Sequence, residues 1–85
     1  MPLTSMVRPN GPRVRAIRRR MDLTQEEMAR RLHRSRALVL NIEAGRPVSK
    51  IVMRQLARSL RVSFSEITLA SPADADGEQE EAEAA

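Results

Sequence analysis

At 85 residues the chain has room for one small domain, and chains this short are marginally stable unless they pack densely or associate. It has no cysteine and one histidine, which leaves no material for disulfides, thiol chemistry or the common nitrogen and sulfur zinc sites. Through Ala70, fifteen basic residues stand against five acids, a net charge of +10, whereas six acids and no base follow from Ser71; the first part is a polycation suited to polyanions.

Residues 1–11 carry Pro2 and Pro9 without periodicity and read as a flexible arm bearing Arg8. No run approaches the roughly 18 apolar residues of a membrane span, so a soluble, cytoplasmic protein is expected. Pro12 suits the first turn of a helix, where its missing amide has no partner to lose. Val14, Ile17 and Met21 then recur at helical spacing with arginines on the other faces. Thr24 with Glu27 three residues on is a capping box, and Leu23 and Met28 flank it as a hydrophobic staple. A second helix over 25–32 follows, burying Met28, Ala29 and Leu32. Ser35 caps a third, running from Arg36 to Glu43 or Ala44 and stopped by Gly45, with Val39 and Ile42 inward and Leu38 a candidate to share that face. After the turn Gly45-Arg46-Pro47, Ser49 caps a fourth helix to Leu60, with Met53, Leu56, Ala57 and Leu60 as its apolar stripe. Val62, Phe64 and Ile67 come next, and Ser63 or Ser65 starts a short fifth helix carrying Glu66. No alternation is long enough for a sheet, so the expectation is a compact all-α domain of five helices over 12–70. The acidic tail 71–85 has no apolar periodicity and reads as disordered.

Catalysis has little to work with. The only imidazole, His33, falls in a short turn, Glu26 and Glu27 are adjacent and diverge, and no glycine-rich phosphate loop or paired-acid spacing for a metal is present. The expectation is therefore no enzyme, no cofactor and no metal.

A compact helix pair does suit the major groove of double-stranded DNA, one helix presenting side chains to base edges while the other crosses the backbone. The exposed start of the third helix offers Arg36, able to donate two hydrogen bonds to guanine, and Ala37 and Leu40, able to touch thymine methyls. The amide end of the second helix, with Gln25, suits a phosphate oxygen. Arg34 and Arg46 are further phosphate candidates, and His33 is one as an alternative to a solvent-facing turn residue. Each has a plainer competitor: Arg36 and Gln25 as solvated first-turn residues, Leu40 as packing against the body of the domain. Glu43 suits an ion pair within the basic domain, with Arg18 on the first helix as a conceivable partner.

Leu23-Thr24-Gln25-Glu26-Glu27-Met28-Ala29, then Ser35-Arg36, Val39, Ile42-Glu43-Ala44-Gly45 and Leu56-Ala57-Arg58-Ser59-Leu60-Arg61-Val62-Ser63 resemble, in order and spacing, the Cro and CI-like (XRE-type) helix-turn-helix family of bacterial and phage regulators. The likeness spans approximately Val14 to Ile67. It implies a lambda-repressor-like domain of five helices that regulates transcription, with its third helix in the major groove and a homodimer on a pseudo-palindromic operator. The family's phosphate-binding glutamine falls on Gln25, and its reading positions fall on Arg36 and Ala37, with further ones at Leu40 and Asn41. His33 and Arg34 stand where a glycine and an aliphatic residue are common, and Arg61 where another glycine is. Phe64, Ile67 and Leu69 are expected either as core or as contacts with a second subunit. Leu38 and Leu40, together with the acidic tail, motivate a second reading: a protein-interaction module or antitoxin-like component docking a protein partner.

Overall fold

Backbone pairing begins earlier in the chain than its composition suggests. The computed structural model describes residues 5–69, and in it Met6–Pro9 is a strand, β1. It pairs antiparallel on both sides, with β2 (Val48–Ser49) and with β3 (Thr68–Leu69), in the order β2-β1-β3. Met6 lies opposite Ser49, Val7 opposite Val48, Arg8 opposite Leu69 and Pro9 opposite Thr68. Val7 and Pro9 turn inward while Met6 and Arg8 face out. Backbone amides close both ends: Lys50 donates to the Ser5 carbonyl at 2.7 Å, and Asn10 to that of Ile67 at 2.8 Å. Two expectations are corrected here. Residues 6–11 are part of the fold rather than a flexible arm, and the fold is helical with a small sheet rather than purely helical. Strands of two to four residues are too short to show a period, and the pairing joins segments some forty to sixty positions apart. The acidic tail expected over 71–85 lies outside the described residues.

The helices follow their caps. α1 (Gly11–Arg20) has Asn10 accepting from the Arg13 amide, with Pro12 in its first turn. In α2 (Gln25–Leu32) the capping box is complete, the Glu27 amide donating to Thr24 Oγ1 at 3.0 Å and the Thr24 amide to Glu27 Oε1 at 2.8 Å. The bond from the Thr24 amide above all, and then the Thr24 side chain, hold the Glu27 carboxyl below its ordinary range. Ser35 caps α3 (Arg36–Glu43) and Ser49 caps α4 (Lys50–Leu60), each through its hydroxyl oxygen. Gly45, at φ 81°, ends α3 by accepting a left-handed turn. His33 and Arg61 take left-handed cap positions at φ 57° and 59° without being glycine, each at a cost of roughly 1 kcal/mol.

The fifth helix is corrected as well. Phe64–Ile67 is a single 3-10 turn capped by Ser63, so the described residues form four α-helices. Thr68 is already extended to pair with β1, and its hydroxyl donates to the Phe64 carbonyl at 2.9 Å, which leaves too few residues for an α-helical turn to propagate.

One core joins all these elements. Val14, Val39, Ile42, Met53, Leu56 and Ile67 are fully enclosed, with Met28, Ala29, Leu32 and Phe64 around them. α2 and α3 pack most extensively on each other, and α1 covers α3. That packing sets the pose of α3.

Candidate nucleic-acid interface

The site grows from a buried charge. Glu43, the last residue of α3, has a side chain only 1% exposed, and burial pushes its carboxyl up. Hydrogen bonds from Arg18, Gln25 and Arg15, with the Arg18 charge, outweigh that and hold it below its ordinary range. Arg18 Nε donates to Oε2 at 2.6 Å and Nη2 to Oε1 at 3.2 Å, the two-pronged pairing of guanidinium with carboxylate. The third prong, Arg18 Nη1, donates to the Leu23 carbonyl at 2.8 Å, so this arginine ties α1 to the loop before α2 and to the end of α3. The ion pair that sequence reading entertained between Arg18 and Glu43 is present. What sequence reading missed is the next bond: Gln25 Nε2 donates to Glu43 Oε1 at 3.1 Å. No local pattern could signal it, because the two residues sit on different helices.

Glu43 therefore carries stability that depends on pH. A carboxyl lowered in the folded state stabilises it above the unfolded value of about 4.3 and loses that contribution as pH falls through the folded value. The urea midpoint should stay level from pH 7 to 5 as far as this group is concerned and drop below about pH 4. The gap between the parent and a Glu43→Gln variant should narrow over the same interval; a constant gap in urea titrations would refute the assignment.

Tethered in this way, Gln25 stands in the first turn of α2 beside Arg36, the first residue of α3. Arg18, Thr24, Gln25, Glu26 and Arg36 line a surface cavity of about 340 Å³ that opens to solvent. Of the candidate base-reading residues, Arg36, Ala37 and Leu40 are exposed along α3 and Asn41 is half-buried. Leu40 is 43% exposed, so it does not pack into the body of the domain, whereas Leu38 packs against the core. Asn41 Oδ1 accepts from Arg46 Nη1 at 3.2 Å, which joins a reading candidate to a phosphate candidate beyond the other end of α3.

The remaining candidates separate from this group. Arg34 turns toward α4, donating to Gln55 Oε1 at 3.3 Å. His33 lines a different cavity with Arg31, Leu32, Gln55, Arg58 and Ser59. His33 and Arg34 thus stand apart from the cavity that Gln25 and Arg36 share. Ile67 is fully buried inside its own chain and has no surface for a second subunit, and Phe64 is nearly so. Leu69, at 46%, is exposed, as are Met6 and Ile51. Lys50 Nζ and Arg54 Cζ lie 5.9 and 6.0 Å from the centre of the Phe64 ring, so cations cover it. Among the described residues no helix is long and apolar enough to cross a membrane, and no cluster of three metal-ligating side chains occurs.

Comparison with known proteins agrees with this geometry. A search of curated proteins finds no match. Among solved structures the chain is similar to the restriction-modification controller protein C.AhdI from Aeromonas hydrophila, at 33% identity and a TM-score of 0.61, over 66% of this chain and 86% of that one. The helix-turn-helix family matches residues 14–67, which include all of α2, the turn and α3. With its capped helix pair, its anchored glutamine and its exposed third helix, the chain belongs to the XRE-type helix-turn-helix family and is a DNA-binding transcriptional regulator.

Proposed function

We propose that α3 enters the major groove of double-stranded DNA and reads sequence there, with the start of α2 fixed on the phosphate backbone. The observation that carries this is the pairing of Gln25 and Arg36 across one open cavity, with Gln25 anchored by the buried Glu43. Backbone amides at the start of α2 and the free polar atoms of Gln25 serve a phosphate. Arg36 then lies one short step from the backbone, where a guanidinium meets the two acceptors of guanine. Ala37 and Leu40 supply apolar contact to thymine methyls, Asn41 meets an adenine edge, and Arg46 holds a second phosphate. The protein works in the cytoplasm as a homodimer, with its two α3 helices about 34 Å apart, one turn of duplex. Leu69 of β3 supplies the contact between subunits, with Met6 of β1 and Ile51 of α4, which are also exposed, as further apolar candidates. The likeness to a restriction-modification controller makes the promoters of such genes the first operators to try. Docking of a protein partner by α3 is the weaker reading, because Leu38 packs inward and leaves Leu40 alone on that face.

Fluorescence anisotropy with a duplex selected from a random pool tests the proposal. Arg36→Ala should lose roughly tenfold in preference for the selected duplex over random duplex, the scale of one bidentate base contact, while random-duplex affinity falls much less. Affinity of the parent should fall by about 0.9 log units per phosphate contact for each log unit of salt. Equal loss on both duplexes would remove base reading from Arg36.

A further inference from the structure

Cationic groups gather at both ends of α2, Arg18 of α1 and Arg36 of α3 beside its start and its own Arg30 and Arg31 in its last turn, and only the first end belongs to the reading face. At its C-terminal end, Arg31, Leu32 and His33 meet Gln55, Arg58 and Ser59 of α4 around a cavity of about 330 Å³. Among the described residues no carboxylate lies within ion-pair distance of Arg31 or Arg58. Four of the five acids among the described residues are already engaged, Glu43 with Arg15 and Arg18, Glu66 with Arg13, Glu26 with Arg30, and Glu27 in its capping box, and the fifth, Asp22, is exposed in the turn between α1 and α2 and pairs with neither Arg31 nor Arg58. α4 contributes nothing to the cavity shared by Gln25 and Arg36. Two guanidiniums, an imidazole, a hydroxyl and an amide thus line a pocket that the DNA-reading arrangement does not use.

We propose that this pocket binds the carboxylates of the chain's own acidic segment, residues 74–83. The segment places Asp74, Asp76, Glu78, Glu80, Glu81 and Glu83 within ten positions, and no basic residue follows Ser71. It begins five residues beyond Leu69. An extended chain spans at most about 3.3–3.6 Å per residue, so the fourteen steps from Leu69 to Glu83 exceed the 33 Å length of the described fold. Covalent attachment holds the carboxylates at an effective concentration of order millimolar, which makes many weak ion pairs with arginine sufficient where free peptide would not bind. Charge complementarity selects this occupant, because it supplies the acids that the folded part lacks at Arg31 and Arg58. The consequence for DNA is selectivity of face: with these arginines occupied, random duplex is left with fewer cations to collect.

The test compares the full-length parent with a full-length variant carrying Asp74→Asn, Asp76→Asn, Glu78→Gln, Glu80→Gln, Glu81→Gln and Glu83→Gln. In amide NMR spectra without DNA, differences should concentrate at Arg31, His33, Arg58 and Ser59 and vanish near 1 M salt, where the Debye length is about 3 Å. No differences, differences confined to Gln25, Arg36 and Arg46, or differences that grow with protein concentration would overturn docking of the chain's own segment in this pocket. This readout is independent of the DNA reading. A second one depends on it: freeing two arginines should make the variant lose roughly tenfold more random-duplex affinity than the parent between 50 and 200 mM salt. An unchanged salt slope would overturn the consequence for DNA.

Discussion

Glu43→Ala should destabilise the fold by about 3–5 kcal/mol, because it leaves the Arg18 guanidinium, only 11% exposed, without its counter-charge. Domains of this size hold roughly 5–15 kcal/mol at best, so the variant should approach the edge of folding, with a melting temperature lower by about 12 °C or more. Loss of stability alone would say nothing about DNA, since an unfolded regulator does not bind. The informative partner is a double variant, Arg18→Met with Glu43→Leu, which replaces the ion pair by apolar groups of similar bulk. Removing both charges together is often neutral for stability, so this protein should melt within a few degrees of the parent. Gln25 would then stand in its first turn without an acceptor to fix it. DNA affinity should fall several-fold, with selected and random duplex affected alike, because a phosphate contact positions the protein and carries no sequence information. If the double variant melts like the parent and binds DNA equally well, Glu43 serves only the fold. If Glu43→Ala itself melts like the parent, the buried pair does not have the weight assigned to it.

Gly11→Ala should cost about 3 kcal/mol, against the sign that helix propensity gives. Alanine is favoured over glycine by roughly 1 kcal/mol inside a helix, and Gly11 is the first residue of α1. A Cβ at this position, however, would lie 2.1 Å from the Glu43 carbonyl oxygen, 2.7 Å from its carbonyl carbon and 3.2 Å from the Gly45 amide nitrogen. All three are backbone atoms, so no side chain can swing aside; α1 or the end of α3 must move. Overpacking of that kind costs about 1–3 kcal/mol and occasionally more. The same displacement would shift α3 relative to α2 and disturb the spacing between Gln25 and Arg36, so DNA affinity should fall even at temperatures where the variant stays folded. Urea denaturation decides the matter, with Pro12→Ala on the exposed neighbouring position as control. A Gly11→Ala protein more stable than the parent would show that the contact between α1 and the end of α3 is looser than the geometry described.

How much of this could be read without coordinates depends on sequence distance. Thr24, Ser35 and Ser49 announce helix starts because a cap acts within three residues, and Gly45 announces a stop for the same reason. The inward faces of the helices follow from a period of 3.6, which is why Met28, Val39, Ile42 and Leu56 were legible as core. Those local rules, with the net charge of +10 through Ala70, already determined a small helical polycation with a tight helix pair. Tertiary structure alone decided what joins distant segments. The strand Met6–Pro9 exists only because Val48–Ser49 and Thr68–Leu69 flank it, and its amides bond across gaps that no local pattern spans. That pairing also pulls Thr68 into an extended form and shortens the fifth helix to one turn. The site divides in the same way. Arg36 was legible because an exposed helix start follows from its cap. The tether from Gln25 to Glu43, the turn of Arg34 toward Gln55 and the second basic cavity were not, since a side chain's partner on another helix depends on how the helices pack.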